Sequence, residues 1–267
     1  MKAILCLILA FCCSCRVFAA AEVCTEKAAS KSWTPAELSG FVGKKGFGYQ
    51  NLQLMDEDGQ AYLRVRFPRG SIDPGGVARI GAPLGGAGAR LPTSPVVGDC
   101  IWAGYRIRFP VDFAFVKGGK LPGLAGGAAN TGGKIPNGRD GFSARYMWRS
   151  MGMGEVYAYL PDSVEWGTSL GRGAWRFLRG PWNRIEQVVR LNTPGRKDGY
   201  LAVWLNGTLV FEQGGLRFRD VPELRVDTFL LETFFGGNAG DWASDHDTFI
   251  DFKDFSVATA RNSLVGR

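Results

Sequence analysis

Histidine is almost absent from this chain, which has His246 as its single example among 267 residues. Transition-metal sites usually combine several histidine or cysteine ligands. Outside the N-terminal segment the only cysteines are Cys24 and Cys100. The composition therefore excludes a histidine-rich or cysteine-rich metal centre, and we expect no metal.

The aspartates near the histidine, Asp241, Asp245 and Asp247, leave calcium as an open alternative. Their spacing departs from that of an EF-hand loop. We therefore interpret residues 241–247 as a solvated acidic loop.

Long apolar runs are also missing, apart from residues 3–13. That run is shorter than the roughly 20 residues that a membrane-spanning helix needs. The Met-Lys before it and the small residues at 19–21 after it are typical of a secretory signal peptide. We expect residues 1–21 to be removed, which leaves no stable membrane insertion and a secreted or periplasmic protein. A lipid anchor on Cys12, which follows Leu-Ala-Phe, is the alternative.

Four of the six cysteines lie within that segment, so the processed chain keeps Cys24 and Cys100. An even pair in an exported protein is most simply one disulfide. We expect this bond to tie the N-terminal segment to the domain, with two unpaired buried thiols as the alternative.

Long helical periodicity and linkers rich in proline or serine are absent as well, so residues 22–267 form a single domain in our interpretation. The chain is instead rich in glycine, with 38 residues, and in aromatics, at 12%. Alternating segments at 61–67, 101–109, 183–191 and 248–257 predict strands. Asn206-Gly207 between two such segments predicts a type I′ hairpin. We expect an all-β, concanavalin A-like jelly roll of two antiparallel sheets with few helices.

The net charge is +7, from 32 basic and 25 acidic residues. Removing residues 1–21 takes away Lys2 and Arg16 and no acid, which leaves 30 basic and 25 acidic residues, or +5. A positive excess attracts polyanions. No cluster of lysine and arginine lies on a recognisable nucleic-acid module, so an acidic polysaccharide is the expected partner of a monomeric protein.

Two neighbouring segments at 142–149 and 155–160 carry polar side chains at strand spacing. Ser143 and Arg145 alternate with apolar residues, as do Tyr157 and Tyr159, so each pair projects from one face of a strand while the apolar residues pack inward. Arginine can bind a carboxylate bidentately, serine can donate a hydrogen bond, and a phenol can transfer a proton. Ordinary half-exposed strands would show the same spacing.

Five short motifs, in order, resemble the polysaccharide lyase family 14 domain, which includes alginate and glucuronan lyases. They lie at 118–123 (Gly-Gly-Lys-Leu-Pro-Gly), 141–149 (Gly-Phe-Ser-Ala-Arg-Tyr-Met-Trp-Arg), 157–159 (Tyr-Ala-Tyr), 171–173 (Gly-Arg-Gly) and 233–237 (Thr-Phe-Phe-Gly-Gly). The resemblance covers residues 118–255 and implies a jelly-roll enzyme that cleaves a uronate polymer by β-elimination. We expect no cofactor, because this reaction requires none.

The resemblance also implies that Lys120 takes part in catalysis. Lys134, in the similar Gly-Gly-Lys-Ile-Pro stretch, is a second candidate, and we interpret both stretches as loops between strands. Arg145 and Lys120 would stabilise the enolate-like intermediate, with Ser143 as a hydrogen-bonding helper. The proton would be moved by Tyr157 or Tyr159, whose pKa neighbouring cations would lower, or by Lys120.

Four residues are candidates for binding the substrate, namely Lys134 again, Arg149, Arg172 and Trp242. Two other classes of function stay open. A glycoside hydrolase would need paired carboxylates, for which Glu155, Glu186 and Glu232 are available although the Glu-x-Asp-x-x-Glu strand pattern is absent. A carbohydrate-binding jelly roll would keep the sheet and lack the chemistry.

Overall fold

The computed structural model describes Cys24 and residues 28–266 as two antiparallel sheets packed face to face. The strands are β1 Ser30–Trp33, β2 Leu52–Glu57, β3 Gln60–Phe67, β4 Ala87–Pro92, β5 Cys100–Arg108, β6 Gly118–Gly127, β7 Gly141–Arg149, β8 Gly154–Tyr159, β9 Thr168–Leu170, β10 Asn183–Arg190, β11 Gly199–Leu205, β12 Thr208–Leu216, β13 Thr228–Phe235 and β14 Thr248–Ala258. This architecture confirms the predicted all-β jelly-roll sandwich. The expected signal peptide at 1–21 and Cys12 lie outside the described residues.

One sheet has eight strands in the order β12-β11-β10-β5-β14-β3-β2, with β1 paired to the second half of β14. The other has six strands in the order β4-β13-β6-β7-β8-β9. Helices are short, at α1 Pro35–Lys45 and α2 Val77–Ile80, with single 3-10 turns at Tyr49–Asn51, Ser150–Gly152, Gly240–Trp242 and Arg261–Ser263. Few helices were predicted, and few are present in the described chain.

The β11–β12 hairpin turns at Asn206-Gly207, as the sequence predicted. Both residues have positive φ angles, 51° and 85°. A type I′ turn requires this conformation, which asparagine and glycine adopt at the lowest cost. The turn therefore fixes the register of an edge hairpin of the eight-stranded sheet.

The core lies between the sheets and takes the apolar face of each strand. On β7 the side chains of Phe142, Ala144, Tyr146 and Trp148 are all buried there, as alternation predicted. The opposite face of β7 points away from the core, on the outer side of the six-stranded sheet. That outer face carries the candidate site.

Two buried polar side chains hold β6 and β7 onto the eight-stranded sheet. Gln187 of β10 donates to the Ala144 carbonyl over 2.9 Å and accepts from the Leu124 N–H over 3.1 Å. The Tyr105 hydroxyl donates to the Pro122 carbonyl over 3.1 Å, at an irregularity in the pairing of β6 with β7. Because buried amides and hydroxyls need partners, these bonds fix the backbone beneath the site.

The predicted disulfide joins Cys24 to Cys100, across a sequence separation of 76 residues. It fastens the start of the described chain to β5, at the outer face of the eight-stranded sheet. Within the described residues, no helix has both the length and the apolar character needed to cross a bilayer.

Candidate active site

Strand register brings the predicted catalytic residues onto neighbouring strands of one face. Ser143 lies opposite Tyr159, and Arg145 lies opposite Tyr157, across the β7–β8 pair. On the other side of β7, Lys120 of β6 lies opposite Met147. Directly opposed residues in an antiparallel pair have side chains in contact range, so the site is a patch on three adjacent strands.

Lys120 lies in a strand, so the predicted loop at 118–123 is wrong, whereas the second lysine, at 134, does lie in a loop. A Cβ atom on Gly119 would lie 2.1 Å from the ring of Trp148, so the glycine's lack of a side chain lets the indole pack against β6. The glycines therefore serve packing within the sheet, and β6 presents Lys120 on the outer face.

The half-buried Lys120 amine has little to stabilise its charge. Its Nζ donates to Met147 Sδ over 2.9 Å and lies 4.3 Å from the ring centroid of Tyr157. Burial and the nearby guanidinium groups of Arg145 and Arg149 hold the pKa of Lys120 well below its usual value. A thioether is only a weak acceptor, so this surrounding favours the neutral amine, which is the form that can accept a proton.

The two tyrosines form an edge-to-face pair with ring centroids 5.7 Å apart. Burial raises the pKa of Tyr157 to about 12, and Tyr159 adds to the shift while Arg149 opposes it. The expectation that cations would lower the pKa is therefore wrong for Tyr157, because loss of hydration outweighs the cation. This phenol is protonated near neutral pH and can act as an acid.

Arg145 is buried, with 2% of its surface exposed, and its Nη1 donates to a carboxylate oxygen of Glu232 on β13. Its Nε is a buried donor without a described partner. The guanidinium thus lies beneath the surface of the site and acts at short range on Lys120. The guanidinium is not exposed to solvent, and the strand spacing in the sequence did not reveal this burial.

Ser143 is fully buried, and its hydroxyl donates to the Asn130 carbonyl over 2.6 Å. Its hydrogen is therefore engaged with the loop at 128–140 that joins β6 to β7. In that loop the Gly133 N–H donates to the Tyr159 hydroxyl over 2.9 Å, and the Lys134 side chain is exposed. The structure brings the Lys134 loop to the site, with its backbone in contact and its lysine at the rim.

Glu155 of β8 is fully buried between two of the predicted substrate-binding arginines. It accepts from Arg149 Nε over 2.9 Å and from Arg172 Nε over 2.5 Å, while about half of the Arg172 side chain stays exposed. A single carboxylate between two guanidinium groups leaves one excess positive charge. That excess suits a polyanion at this edge of the site.

The glutamates considered for a hydrolase do not form a pair. Glu186 lies on β10 in the other sheet. Glu155 and Glu232 are on β8 and β13, three strand spacings apart, or roughly 14 Å. Glycosidase pairs are separated by about 5 to 9.5 Å. Since each of these two carboxylates also pairs with arginine, the arrangement argues against hydrolysis.

Trp242 marks the end of the site at which β6 begins. Its half-buried ring lies 5.9 Å from the charged groups of both Lys117 and Arg149. Lys117 also pairs with Asp241. The structure thus places Trp242, a candidate for binding the substrate, beside Arg149 and Lys117 at this end of the patch.

The acidic loop around the histidine shows no metal-binding arrangement. His246 Nδ1 lies 2.7 Å from Asp245 Oδ1. Among the described residues, no group of three or more histidine, cysteine, aspartate or glutamate side chains could hold a metal ion.

Sequence reasoning missed Met147 as the neighbour of Lys120, and the pairing of Glu232 with Arg145. Met147 could have been found, because it follows Arg145 by two residues on the same strand face. Glu232 directly precedes the 233–237 motif, but its partner depends on how distant strands pair. That information is not contained in local alternation.

Comparison with known proteins places these features in context. The family model described as polysaccharide lyase 14 matches residues 55–255, so the match begins well before the 118–255 stretch that the motifs indicated. No protein of curated function matches the sequence.

Solved structures of lyases share the fold. The marine PL-14 alginate lyase from Aplysia kurodai is 28% identical, with 87% of this chain and 99% of that chain covered and a TM-score of 0.74. An alginate lyase from Chlorella virus is 22% identical, covering 77% and 88%, with a TM-score of 0.68. The endo-β-1,4-glucuronan lyase from the fungus Trichoderma reesei is 13% identical, covering 88% and 97%, with a TM-score of 0.56.

Proposed function

The chain belongs to polysaccharide lyase family 14, and from that premise we propose that it cleaves an acidic, uronate-containing polysaccharide such as alginate or glucuronan by β-elimination. The observation that carries the proposal is the pair formed by Lys120 and Tyr157. Burial lowers the pKa of the Lys120 amine and raises the pKa of the Tyr157 phenol to about 12. The two pKa values shift in opposite directions even though the amine lies 4.3 Å from the centroid of the phenol ring. Such divergent pKa values are typical of a base and an acid that share one site.

In this mechanism the neutral Lys120 amine removes the C5 proton of a uronate residue. The electron pair of the C5–H bond passes through an enolate of the C6 carboxylate and becomes the C4–C5 double bond. The C4–O4 bond breaks, and Tyr157 or Tyr159 donates a proton to the departing O4. One product then carries an unsaturated uronate and the other a new reducing end.

Charge on the enolate is the largest energetic obstacle, and preorganised cations reduce it most effectively. Arg145 lies under the site, and its ion pair with Glu232 fixes a guanidinium group there that does not need to be reoriented. Arg149 and Arg172 are held by Glu155 at the edge of the patch, where the carboxylates of neighbouring sugars would lie. Ser143 contributes by anchoring the 128–140 loop.

We also propose that the protein works outside the cytoplasm, as a secreted or periplasmic enzyme. The Cys24–Cys100 bond supports this, since disulfides persist in oxidising compartments. The excess of basic residues further supports an anionic substrate.

The test is to incubate the purified protein with alginate and, separately, with glucuronan while following ultraviolet absorbance from the conjugated double bond. Absorbance should rise with one polymer, and the rate should increase with pH as Lys120 loses its proton. New reducing ends without absorbance would establish hydrolysis instead. Binding without either product would make the protein a carbohydrate-binding jelly roll.

A further inference from the structure

Trp166 is the exposed exception among the eight tryptophans, all of which lie in the described part of the chain. It lies in the segment that joins β8 to β9, and 53% of its surface is exposed. A large exposed aromatic side chain often marks a binding surface. Its position relative to the candidate site is therefore informative.

The ring of Trp166 packs over the loop that contacts Tyr159. A Cβ atom on Gly133 would lie 3.2 Å from Cζ3 of the indole, and the N–H of the same glycine donates to the Tyr159 hydroxyl. The next residue after the tryptophan, Gly167, lies against both phenol rings, where a Cβ atom would be 2.8 Å from Tyr157 Cε1 and 2.9 Å from Tyr159 Cε2. The residue that follows Trp166 thus contacts both tyrosines to which we assign proton transfer.

The segment is held in place without using the indole. The Leu160 N–H donates to Ser163 Oγ over 3.1 Å, and that oxygen lies 2.9 Å from Thr168 Oγ1. Asp162 forms ion pairs with Lys197 and Arg217. Because these contacts close the loop at its base, the backbone that carries Trp166 is held in place. Binding to the indole would therefore lose little conformational entropy of this segment.

Trp166 and Trp242 lie at opposite ends of the patch. Trp242 adjoins Arg149, at the end where β7 finishes, whereas Trp166 adjoins the 128–140 loop, from which β7 begins. The stretch of β7 from Ser143, opposite Tyr159, to Arg149, beside Trp242, spans about 20 Å. A polymer that runs along the strands would pass Lys120 between two aromatic side chains.

We propose that Trp166 is a stacking platform for one uronate residue on the Tyr159 side of the site, with the exposed Lys134 beside it to pair with the carboxylate. The proposal rests on the function proposed above, since it takes uronate as the ligand. The negative face of an indole attracts the C–H groups of a sugar ring. Lys134 follows Gly133, on which the ring packs, so one residue of the polymer could contact both.

The first test measures binding alone, by calorimetry. The ligands are alginate and glucuronan oligosaccharides of graded length that carry no C4–C5 double bond. The protein carries Lys120→Ala, so that it should not cleave them during the measurement. Adding Trp166→Ala should weaken binding of the longer oligosaccharides by about tenfold, while Trp166→Phe restores most of it. The matched control is Val164→Ala in the same segment, since Val164 is 93% exposed. Unchanged binding at every length, or an equal loss in the control, would overturn the platform.

The second test uses turnover by the otherwise unaltered protein. Trp166→Ala should raise KM for long oligosaccharides more than it lowers kcat, and the shortest cleaved oligosaccharide should be affected least. A loss of kcat alone at all lengths would instead show that the indole supports Tyr159. If the parent protein does not catalyse elimination and Trp166→Ala still weakens binding, the proposed function fails and the platform stands. If the parent protein catalyses elimination and Trp166→Ala leaves binding unchanged, the platform fails and the proposed function stands.

Discussion

The outer faces of the two sheets use the same ion-pair arrangement for different ends. On the eight-stranded sheet, buried Asp251 accepts from Arg64 over 2.8 Å and from Arg108 over 3.0 Å. On the six-stranded sheet, Glu155 holds Arg149 and Arg172 in the same way. A buried carboxylate between two arginines is therefore a structural device of this fold, and does not by itself identify the site.

What differs between the faces is the lysine. On the eight-stranded sheet Lys253 donates to Gln60 Oε1 over 2.7 Å and lies 4.7 Å from the Trp182 ring. On the six-stranded sheet Lys120 also lies over an aromatic ring, but its described acceptor is the sulfur of Met147. An amide oxygen is a good partner for an ammonium group and a thioether is a poor one. The six-stranded face thus carries a poorly partnered amine beside a phenol, whereas the lysine of the eight-stranded face has an amide oxygen as its acceptor.

Replacing each of the two lysines by alanine gives the sharpest test of this comparison. Lys120→Ala should lower kcat by roughly 10³-fold, the scale of losing a general base, because the variant lacks the amine whose pKa burial lowers. Lys253→Ala, which removes the buried lysine of the other face, should leave turnover per folded molecule at the wild-type level. Elimination rates corrected for folded fraction by circular dichroism provide the measurement. Equal losses would show that the faces do not differ in function.

The phenols allow a similar comparison. Tyr157→Phe or Tyr159→Phe should lower kcat by about 10²-fold, since the acid that protonates O4 is lost while the ring remains. Tyr200→Phe is the control, because the Tyr200 hydroxyl donates to Glu212 over 2.6 Å on the eight-stranded sheet. Steady-state kinetics would measure all three. If neither site variant changes turnover, proton transfer by tyrosine is wrong.

Removing the carboxylate from each arginine pair should separate stability from function. Asp251→Asn and Glu155→Gln should each reduce the free energy of unfolding by about 2 kcal/mol, because each weakens charge-assisted hydrogen bonds to two arginines. The loss is smaller than for a fully buried ion pair, since Arg108 keeps its pair with Glu57 and about half of the Arg172 side chain is exposed. Only Glu155→Gln should also raise KM, by about tenfold, since Arg149 and Arg172 lose their anchor. Chemical denaturation and kinetics on the folded fraction would show this. A rise in KM for Asp251→Asn would remove the distinction between the faces.

The alternation of β7 and β8 is local, so the sequence could predict which of their residues face the core and which form the patch. Lys120 was harder to place, because glycine and proline dominate β6 and both disfavour strands. The ring of Trp148 on the neighbouring strand occupies the space where a Gly119 side chain would lie, so glycine at this position allows the two strands to pair closely. The Arg145–Glu232 pair depends on how strands distant in sequence pair with one another, and the raised pKa of Tyr157 depends on which distant segments bury its ring. The alternation of apolar and polar residues along one strand carries no information on either.

The smallest expected effect is on stability as a function of pH, and it has opposite signs for the two groups. Lys120 has a lowered pKa in the folded protein, so between that value and the usual 10.5 the unfolded chain holds a proton that the native chain lacks, and stability rises with pH. The pKa of Tyr157 is raised from 10.0 to about 12. Between these values the native chain holds the additional proton, so stability falls.

Lys120→Met should therefore stabilise the protein near neutral pH and lose its advantage as pH approaches 10.5. Tyr157→Phe should match the parent near neutral pH and become more stable than the parent only above pH 10.0. Melting temperatures of the parent and both variants across this range would measure the two differences. Difference curves without pH dependence would show that the amine and the phenol are not perturbed by burial, and the assignment of base and acid would then lose its physical basis.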